Sequence, residues 1–285
     1  MATKTQAYTT DDIEYLRHGA KPLMLRLFRP AGAGPHPLVI DLHGGAWCKG
    51  SFAGCQDRDE VLVASGLAVA ALDFRQAGDG YPSSLVDINY AVRWLKAHAG
   101  DLNLDPGRVG LCGQSSGGHL AMLAAMRPND SRYASLRLGE GGAAVDARVR
   151  CVGMAWPVIN PLSRYRHALR ALTGPGPAEW AAEFPEQHET YWKCEENMAE
   201  GNPVLALERG EKVETPPALW VQGRPDIVHD YRDPDSPVDA NEPERFAHAY
   251  RKAGGQIEVV YIDQAARSGA ASSDPLAVFF RERLS

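Results

Sequence analysis

Short apolar runs separated by helical patterns occur along most of this chain of 285 residues. Such runs, bounded by turn residues, predict β-strands, and strands that alternate with helices predict a mostly parallel sheet covered by helices on both faces. The predicted strands cover residues 13–17, 23–28, 38–42, 67–73, 108–112, 151–155, 218–222 and 257–262. The first two are expected to form an antiparallel hairpin. The pattern therefore predicts an α/β fold with an eight-stranded, mostly parallel sheet.

Two amphipathic helices are predicted from apolar residues that recur at intervals of three or four. The first is expected to begin with a capping box formed by Ser84 and Asp87. The second is the last helix of the chain and is expected to run from Pro275. The apolar positions are Leu85, Ile88, Val92 and Leu95 in the first helix and Leu276, Phe279, Phe280 and Leu284 in the second. Both stripes are interpreted as parts of the core.

Residues 159–207 interrupt this alternation with arginine and aromatic residues and with a predicted helix from Pro177 onward. Since the segment follows a predicted strand, we expect it to form a cap over the edge of the sheet at which the strands end. Its aromatic side chains either line a substrate pocket, with Trp192 as the main candidate, or only attach the cap to the domain. No polar linker divides the chain, so residues 1–285 are interpreted as one domain with an inserted cap.

The composition argues against several classes of partner. A net charge of −6 and a pI near 5.9 disfavour binding to nucleic acid or to an anionic membrane, because both require a basic surface. The N-terminal residues are polar and contain no apolar secretion core, and no run reaches the roughly 20 apolar residues of a membrane span. We therefore expect a cytoplasmic protein that acts on a small molecule. The sequence leaves open whether the protein forms a homodimer.

The cysteines predict reduced thiols rather than a disulfide framework or a metal site. There are five of them, which is an odd number, and their spacing does not match that of zinc ligands. They are Cys48, Cys55, Cys112, Cys151 and Cys194. Neither a metal nor a cofactor is implied.

Ser115 is the strongest candidate for a nucleophile. It is the central residue of a G-x-S-x-G motif at residues 113–117, between an apolar run at 108–112 and a helix-forming stretch at 117–126. Strand, tight turn and helix are the context of a nucleophile elbow, in which the serine hydroxyl stands above the sheet. The N–H group of Ser116 would then lie beside an oxyanion that forms during attack.

A second motif, H-G-G-A-W at residues 43–47, directly follows a predicted strand. Glycine allows a carbonyl to approach the backbone closely, so the N–H groups of Gly44 and Gly45 are predicted to form an oxyanion hole together with that of Ser116. Trp47 is expected to contact the substrate. The alternative is an ordinary Gly-Gly turn with a structural histidine.

Five motifs are distributed along the chain in a recognisable order. They are residues 43–47, Asp73-Phe74-Arg75, Tyr81-Pro82, residues 113–120 and Gly201-Asn202-Pro203. Together they resemble the α/β-hydrolases of the hormone-sensitive-lipase and carboxylesterase type, and the H-G-G-x-W form is also seen in kynurenine formamidases. The resemblance extends from about Asp12 to the C-terminus and is specific as far as residues 220–222. It implies a serine hydrolase that cleaves an ester or amide with a triad of serine, acid and histidine.

The acid of such a triad is expected after the seventh strand. Residues 223–226 read G-R-P-D where the related enzymes carry G-x-x-D, so the resemblance favours Asp226. Asp235 is the alternative, because residues 235–238 also resemble the family's sequence that precedes the segment beginning at Glu244. The other acidic residues of this loop are interpreted as solvated.

The usual base is missing. The family's histidine motif after the eighth strand corresponds to residues 264–269, which place Arg267 at the histidine position, and no histidine follows His248. An arginine is protonated at every relevant pH and cannot accept the proton of a serine. It can bind a carboxylate, either of a substrate or of Asp226.

Three hypotheses follow from this conflict. In the first, His229, three residues beyond Asp226, is a relocated base, and the protein is a carboxylesterase-like serine hydrolase. In the second, the serine and the oxyanion hole serve a non-hydrolytic reaction of the lyase or cyclase type, and Arg267 anchors an anionic substrate. In the third, the site is degenerate and the fold only binds a ligand. The intact elbow and the intact loop at residues 43–47, called the glycine loop below, argue against the third hypothesis. We adopt the first. His43 and His119 are expected to be structural.

Overall fold

The computed structural model describes residues 8–139, 145–176 and 178–285. Within these ranges, eight strands form one sheet of order β1-β2-β4-β3-β5-β6-β7-β8, in which the neighbours β1 and β2, and β2 and β4, are antiparallel and the other neighbours are parallel. The strands are β1 (Tyr8–His18), β2 (Lys21–Pro30), β3 (His36–Leu42), β4 (Ala68–Leu72), β5 (Leu104–Gln114), β6 (Cys151–Ala155), β7 (Ala218–Arg224) and β8 (Ile257–Asp263). The predicted α/β architecture and the hairpin at its start are confirmed.

Helices cover both faces of this sheet. They are α1 (Gln56–Ala64), α2 (Ser83–Ala97), α3 (Ala99–Leu102), α4 (Ser116–Met126), α5 (Pro161–Thr173), α6 (Phe184–Trp192), α7 (Glu195–Glu200), α8 (Pro203–Glu208), α9 (Glu242–Lys252) and α10 (Ala270–Arg283). The apolar side chains of α1 and α10 pack into the core on one face, and those of α2, α4 and α9 pack into the core on the other.

The central strands are buried between these layers. All five residues of β4 are buried, as expected for a strand that is covered on both faces. In β3, Leu38, Ile40 and Leu42 pack into one core and Val39 packs into the other. This alternation arises because successive side chains of a strand point to opposite faces. The strands that lead to the candidate site are therefore held rigidly.

Two predicted helix starts are wrong. No side chain caps α2, because Ser84 donates its hydroxyl to the carbonyl of Arg75 and Asp87 accepts from the guanidinium of Arg75 and the imidazole of His18. Tertiary partners have taken the two groups that would have formed the capping box. The last helix begins at Ala270 and includes Pro275, so it starts earlier than the sequence pattern indicated.

The segment between β6 and β7 contains α5 to α8 and lies where the cap was expected. Pro177, the predicted start of a helix there, lies outside the described residues; after it come a short 3-10 turn at Glu179–Ala181 and then α6. The segment packs on the loop that follows β3, since Lys49 forms an ion pair with Glu183 at 2.8 Å and the Cys48 thiol donates to the carbonyl of Gln187 at 3.1 Å. The segment is thus attached to the residues that directly follow the H-G-G-A-W motif.

Across the described part of the chain, no helix is both long and apolar enough to cross a bilayer. The five cysteines all carry free thiols, and three of them, Cys55, Cys112 and Cys151, are buried. Burial raises the pKa of each of these three thiols, so they are protonated at neutral pH.

Candidate active site

Ser115 occupies a strained turn between β5 and α4. Its φ of 51° and ψ of −120° lie in a region that residues with a side chain rarely adopt, and such strain persists only where surrounding contacts enforce it. Those contacts are present: the Ser115 N–H donates to the carbonyl of Ala155 at 3.0 Å, and the Ser115 carbonyl accepts from the N–H groups of Val158 and His119 at 3.0 and 3.2 Å. The serine is half-buried at the end of the sheet where the parallel strands terminate.

His229 lies beside this serine. Its Nε2 is 3.2 Å from Ser115 Oγ, and its Nδ1 is 2.8 Å from Asp226 Oδ2. The two outer residues come from elements far apart in the chain, since Ser115 follows β5 whereas Asp226 and His229 lie on the loop after β7. Serine, imidazole and carboxylate therefore form a continuous hydrogen-bonded chain.

Asp226 holds both its own loop and the imidazole. Its Oδ1 accepts from the N–H groups of Val228 and His229 at 3.0 and 3.2 Å, which fixes the turn, while Oδ2 faces the histidine ring. Gln222, on β7, also donates to Oδ2 at 3.3 Å. One carboxylate oxygen thus holds the backbone of residues 226–229, and the other holds the imidazole ring. The turn formed by these four residues therefore sets the orientation of the imidazole.

The protonation states of this pair suit proton transfer from the serine. Burial lowers the pKa of His229 below its usual value, although the hydrogen bond to Asp226 opposes this. Burial works to raise the pKa of Asp226, but the hydrogen bond from His229 and the Val228 N–H keep it below the ordinary value. At neutral pH the carboxylate is ionised and accepts from Nδ1–H, so the assigned tautomer leaves the Nε2 lone pair toward Ser115.

Asp235, the alternative acid, is occupied elsewhere. Its carboxylate pairs with Arg170 at 3.2 Å and approaches Arg166 at 3.8 Å, and its side chain is about half exposed. Both arginines belong to α5, so Asp235 connects its loop to the cap. The geometry associates Asp226, and not Asp235, with His229.

The glycine loop lies against the serine. A Cβ atom at Gly44 would lie 3.3 Å from Ser115 Cβ, so the backbone at this position is adjacent to the nucleophile. Gly45 has a φ of 115° in a turn closed by hydrogen bonds from Cys48 and Lys49 to its carbonyl. Among residues 8–139, 145–176 and 178–285, the N–H groups of Gly44, Gly45 and Ser116 have no hydrogen-bond acceptor. Their role as an oxyanion hole stays a prediction.

The two other histidines near Ser115 in sequence have structural partners. The His43 ring stacks on Phe74 with 4.4 Å between centroids, and its Nδ1 lies 2.7 Å from the carbonyl of Gly44. His119 Nε2 lies 2.8 Å from the carbonyl of Gly201, and burial lowers its pKa to about 4. Both rings brace the loops around the site, as the sequence analysis expected.

The expectation that Trp47 and Trp192 contact the substrate is not met in this structure. Trp47 is 1% exposed and Trp192 is fully buried, and the two rings pack edge to face with 5.3 Å between centroids. Trp47 also donates its indole N–H to His119 Nδ1 at 3.2 Å. These side chains join the cap to the domain because their large apolar surfaces pack against each other, and neither presents a free face to a pocket.

Arg267 lies near Asp226, as the motif at residues 264–269 led us to expect. Its guanidinium carbon lies 4.3 Å from the centre of the Trp156 ring, and Nη1 is 3.8 Å from Asp226 Oδ2. No bidentate pair with Asp226 forms, and within the described residues Arg267 makes no ion pair with Asp235. The loop after β8 thus brings a cation near the acid.

Two residues near the site were missed by the sequence analysis. Trp156 follows β6 in a left-handed conformation, with a φ of 36°, and supports Arg267. Arg164 is 1% exposed, and its Nε and Nη2 have no hydrogen-bond partner within the described ranges. The helical spacing of Arg164 and Ala168, both buried on α5, was a signal that this arginine faces inward.

This chain is similar to known proteins both in sequence and in structure. The sequence profile of a family described as BD-FAE matches residues 25–153. Among proteins of Mycobacterium tuberculosis, the probable carboxylic ester hydrolase LipM is 33% identical over 102 residues, covering 35% of this chain and 24% of LipM. The esterase LipC is 34% identical over 123 residues, covering 42% of this chain and 30% of LipC. The matched segment thus spans about a quarter to a third of the length of these relatives.

The solved structures match over almost the whole chain. EstE1, a thermostable carboxylesterase cloned from a metagenomic library, has a TM-score of 0.74 at 22% identity and covers 98% of this chain and 91% of its own. A hyperthermophilic esterase from Pyrobaculum calidifontis has a TM-score of 0.71 at 21% identity, with 96% and 85% covered. At these identities the matches establish a shared fold.

Proposed function

We propose that this chain, which belongs by its fold to the α/β-hydrolase superfamily, is a serine hydrolase that cleaves a carboxylic ester, or an amide, of a small organic molecule. The observation that carries the proposal is the contact of 3.2 Å between Ser115 Oγ and His229 Nε2, with Asp226 2.8 Å from the other ring nitrogen. A serine becomes an effective nucleophile when an adjacent oriented base accepts its proton. The relatives LipM, a probable carboxylic ester hydrolase, and LipC, an esterase, agree with this chemistry.

In the first half of the reaction, Ser115 attacks the carbonyl carbon of the substrate and His229 takes the hydroxyl proton at Nε2. Asp226 keeps the ring in the required tautomer and stabilises the imidazolium that forms. The strained backbone at Ser115 presents the hydroxyl at the elbow. Because the strain is already present in the resting enzyme, it adds no free energy to the barrier of the reaction.

The negative charge on the carbonyl oxygen is held by the N–H groups of Gly44, Gly45 and Ser116. These donors belong to backbone that is fixed before the substrate arrives, because the glycine loop packs on Ser115 and Ser116 is the first residue of α4. Preorganised donors stabilise a developing oxyanion more effectively than water does. His229 then protonates the leaving alcohol, and water activated by the same ring hydrolyses the acyl-enzyme.

The two other hypotheses from the sequence lose their main support. Both the non-hydrolytic reaction and the binding-only role were considered because no base could be assigned to Ser115. The position of His229, 3.2 Å from Ser115 Oγ and 2.8 Å from Asp226 Oδ2, supports it as that base. No observation favours a lyase or a pure binding protein over a hydrolase.

The proposal is tested with para-nitrophenyl butyrate and a fluorophosphonate probe. We expect turnover of the ester and covalent labelling of the wild-type protein, and loss of both in Ser115→Ala, by a factor of about 10⁴ or more in kcat. The control Ser116→Ala keeps the backbone N–H and is expected to retain labelling. An unlabelled wild-type protein that turns over no ester would contradict the proposal.

A cytoplasmic location and a small-molecule substrate belong to the same proposal. The five free thiols suit a reducing compartment, in which disulfides are rare. Light scattering of the purified protein tests whether it forms a homodimer, which the sequence left open.

A further inference from the structure

We propose that Arg267 binds a carboxylate of the substrate, so that the enzyme prefers esters that carry an anionic group close to the scissile bond. This inference rests on the proposed hydrolase function and names the substrate class of the same site. It concerns the one position of the catalytic loops at which a histidine has been replaced by a permanent cation.

Arg267 is close to the reacting groups without being one of them. Its Nη1 lies 3.8 Å from Asp226 Oδ2, which is the oxygen that accepts from His229. The aromatic face of Trp156, 4.3 Å from the guanidinium carbon, fixes the plane of the group. A guanidinium held in this way presents its remaining N–H groups in a defined direction, as bidentate recognition of a carboxylate requires.

The guanidinium is short of hydrogen-bond partners. At 3.8 Å the contact with Asp226 exceeds a hydrogen-bond distance, and that oxygen already accepts from His229 and from Gln222. The Arg267 side chain is only 31% exposed, so it has lost much of its water. Burial accordingly lowers the pKa of Arg267, and Asp226 only partly opposes this. A carboxylate from a ligand would replace the missing partner.

The space in front of Arg267 can hold such a ligand. A cavity of about 550 Å³ is lined by Arg267 and Trp156 and by Gln114, the residue before the nucleophile. Its wall is mostly polar, and Ser272 and Ser273 bring the first turn of α10 to it, so the positive end of that helix also faces the cavity. The cavity therefore gives Arg267 open space beside the residue that precedes the nucleophile, although Ser115 itself is not among the residues of its wall.

The other charged side chains of the cavity do not replace Arg267. Arg58 is held by Asp41 through hydrogen bonds of 2.9 and 2.8 Å and by Gln114 at 2.8 Å, so its donors are used. Asp57 is exposed to solvent at the rim. Of the two arginines on the wall, Arg267 is the one whose closest carboxylate in the described residues is beyond hydrogen-bond reach.

A second cation close to the catalytic pair adds to this bias. Arg164 belongs to α5 and is buried over the rings of Trp47 and Phe184, at 5.3 and 4.4 Å from their centres. Both Arg164 and Arg267 act to lower the pKa of His229. Two guanidinium groups thus lie near the pair of His229 and Asp226, which contains one carboxylate. The electrostatic potential there favours an anionic substrate.

The test compares esters matched in length that differ in one carboxylate. The mono-para-nitrophenyl ester of glutarate is compared with para-nitrophenyl valerate for the acyl side, and para-acetoxybenzoate with phenyl acetate for the alcohol side. The quantity measured is the ratio of kcat/KM for the acid ester to kcat/KM for its neutral partner. We expect Arg267→Gln to lower this ratio by about tenfold or more for at least one pair, and Arg267→Lys to retain part of it.

The ratio separates substrate binding from a structural role. If Arg267 acted only through Asp226, its replacement would change both esters of a pair equally and leave both ratios unchanged, which would overturn the inference. Arg148→Gln is the matched control, because Arg148 is exposed and pairs with Asp146 and Glu214 on the surface. It removes the same charge and is expected to preserve both ratios.

Binding measurements test the role of Arg267 independently of turnover. They remain informative if no ester is turned over, a result that would contradict the hydrolase proposal. In a Ser115→Ala background, calorimetry with monomethyl glutarate and with methyl valerate is expected to show affinity at least about tenfold higher for the acid. Arg267→Gln in the same background should abolish the difference. Equal affinities of the two esters for the Ser115→Ala protein, together with unchanged kinetic ratios, would overturn the proposed role of Arg267. They would leave the hydrolase proposal intact.

Discussion

His229 follows Asp226 by three residues, and its Nδ1 lies 2.8 Å from Asp226 Oδ2. The acid and the proposed base therefore come from a single loop after β7. This arrangement leaves the loop after β8 without a catalytic histidine and free to carry Arg267. A base on the loop after β7 would make a histidine after β8 unnecessary for proton transfer.

Replacement of His229 by alanine is expected to reduce kcat for para-nitrophenyl butyrate by about 10⁴-fold or more, because no other imidazole contacts Ser115 Oγ in the described structure. His248→Ala is the control, since His248 is exposed on α9. Circular dichroism checks that both variants fold. Unchanged turnover in the His229 variant would show that the base lies elsewhere.

Asp226→Asn and Asp235→Asn distinguish the two acids that the sequence left in competition. An amide at position 226 would donate to Nδ1 and favour the wrong tautomer, so we expect kcat to fall by about 10³- to 10⁴-fold. The same change at Asp235 removes ion pairs to Arg170 and Arg166 on the cap and is expected to alter kcat by less than about threefold. A larger loss in the Asp235 variant would reverse the assignment.

The acidic limb of the pH profile should report His229. The neutral ring is the active form, so kcat/KM falls as pH drops through the pKa of the free enzyme. Since burial lowers the pKa of His229, the limb is expected below the ordinary histidine value of about 6.5. Arg267→Gln removes a charge that also lowers this pKa, so the limb should move to higher pH. A shift to lower pH would contradict the geometry.

Ser115→Gly should be more stable than Ser115→Ala. Glycine adopts a φ of 51° and a ψ of −120° without steric cost, whereas alanine retains the strain of the native serine. We expect the free energy of unfolding in urea to be higher by about 1 kcal/mol for the glycine variant. Both variants lack the hydroxyl, so activity does not enter the comparison. Equal stabilities would mean that the turn is not strained.

Much of the fold could be predicted from local patterns. The strands at β3, β6 and β7 were recognised because a run of apolar residues between turn residues is a local property of the chain. The motifs at Ser115 and at Gly44-Gly45 were recognised for the same reason, although the strained backbone of Ser115 is held by contacts with Ala155 and Val158. Helix starts were less predictable, since tertiary partners of Ser84 and Asp87 replaced the local cap.

The proximity of Asp226 and His229 to each other could also be predicted from the sequence, because residues three positions apart on one loop must lie close together. Their meeting with Ser115 was not, since the contact joins residues 114 positions apart and depends on β5 and β7 ending at the same edge of the sheet. The burial of Trp47 and Trp192 was likewise decided by how the cap packs. Local sequence determined which groups were present, and only long-range packing decided which of them face the serine and which are enclosed.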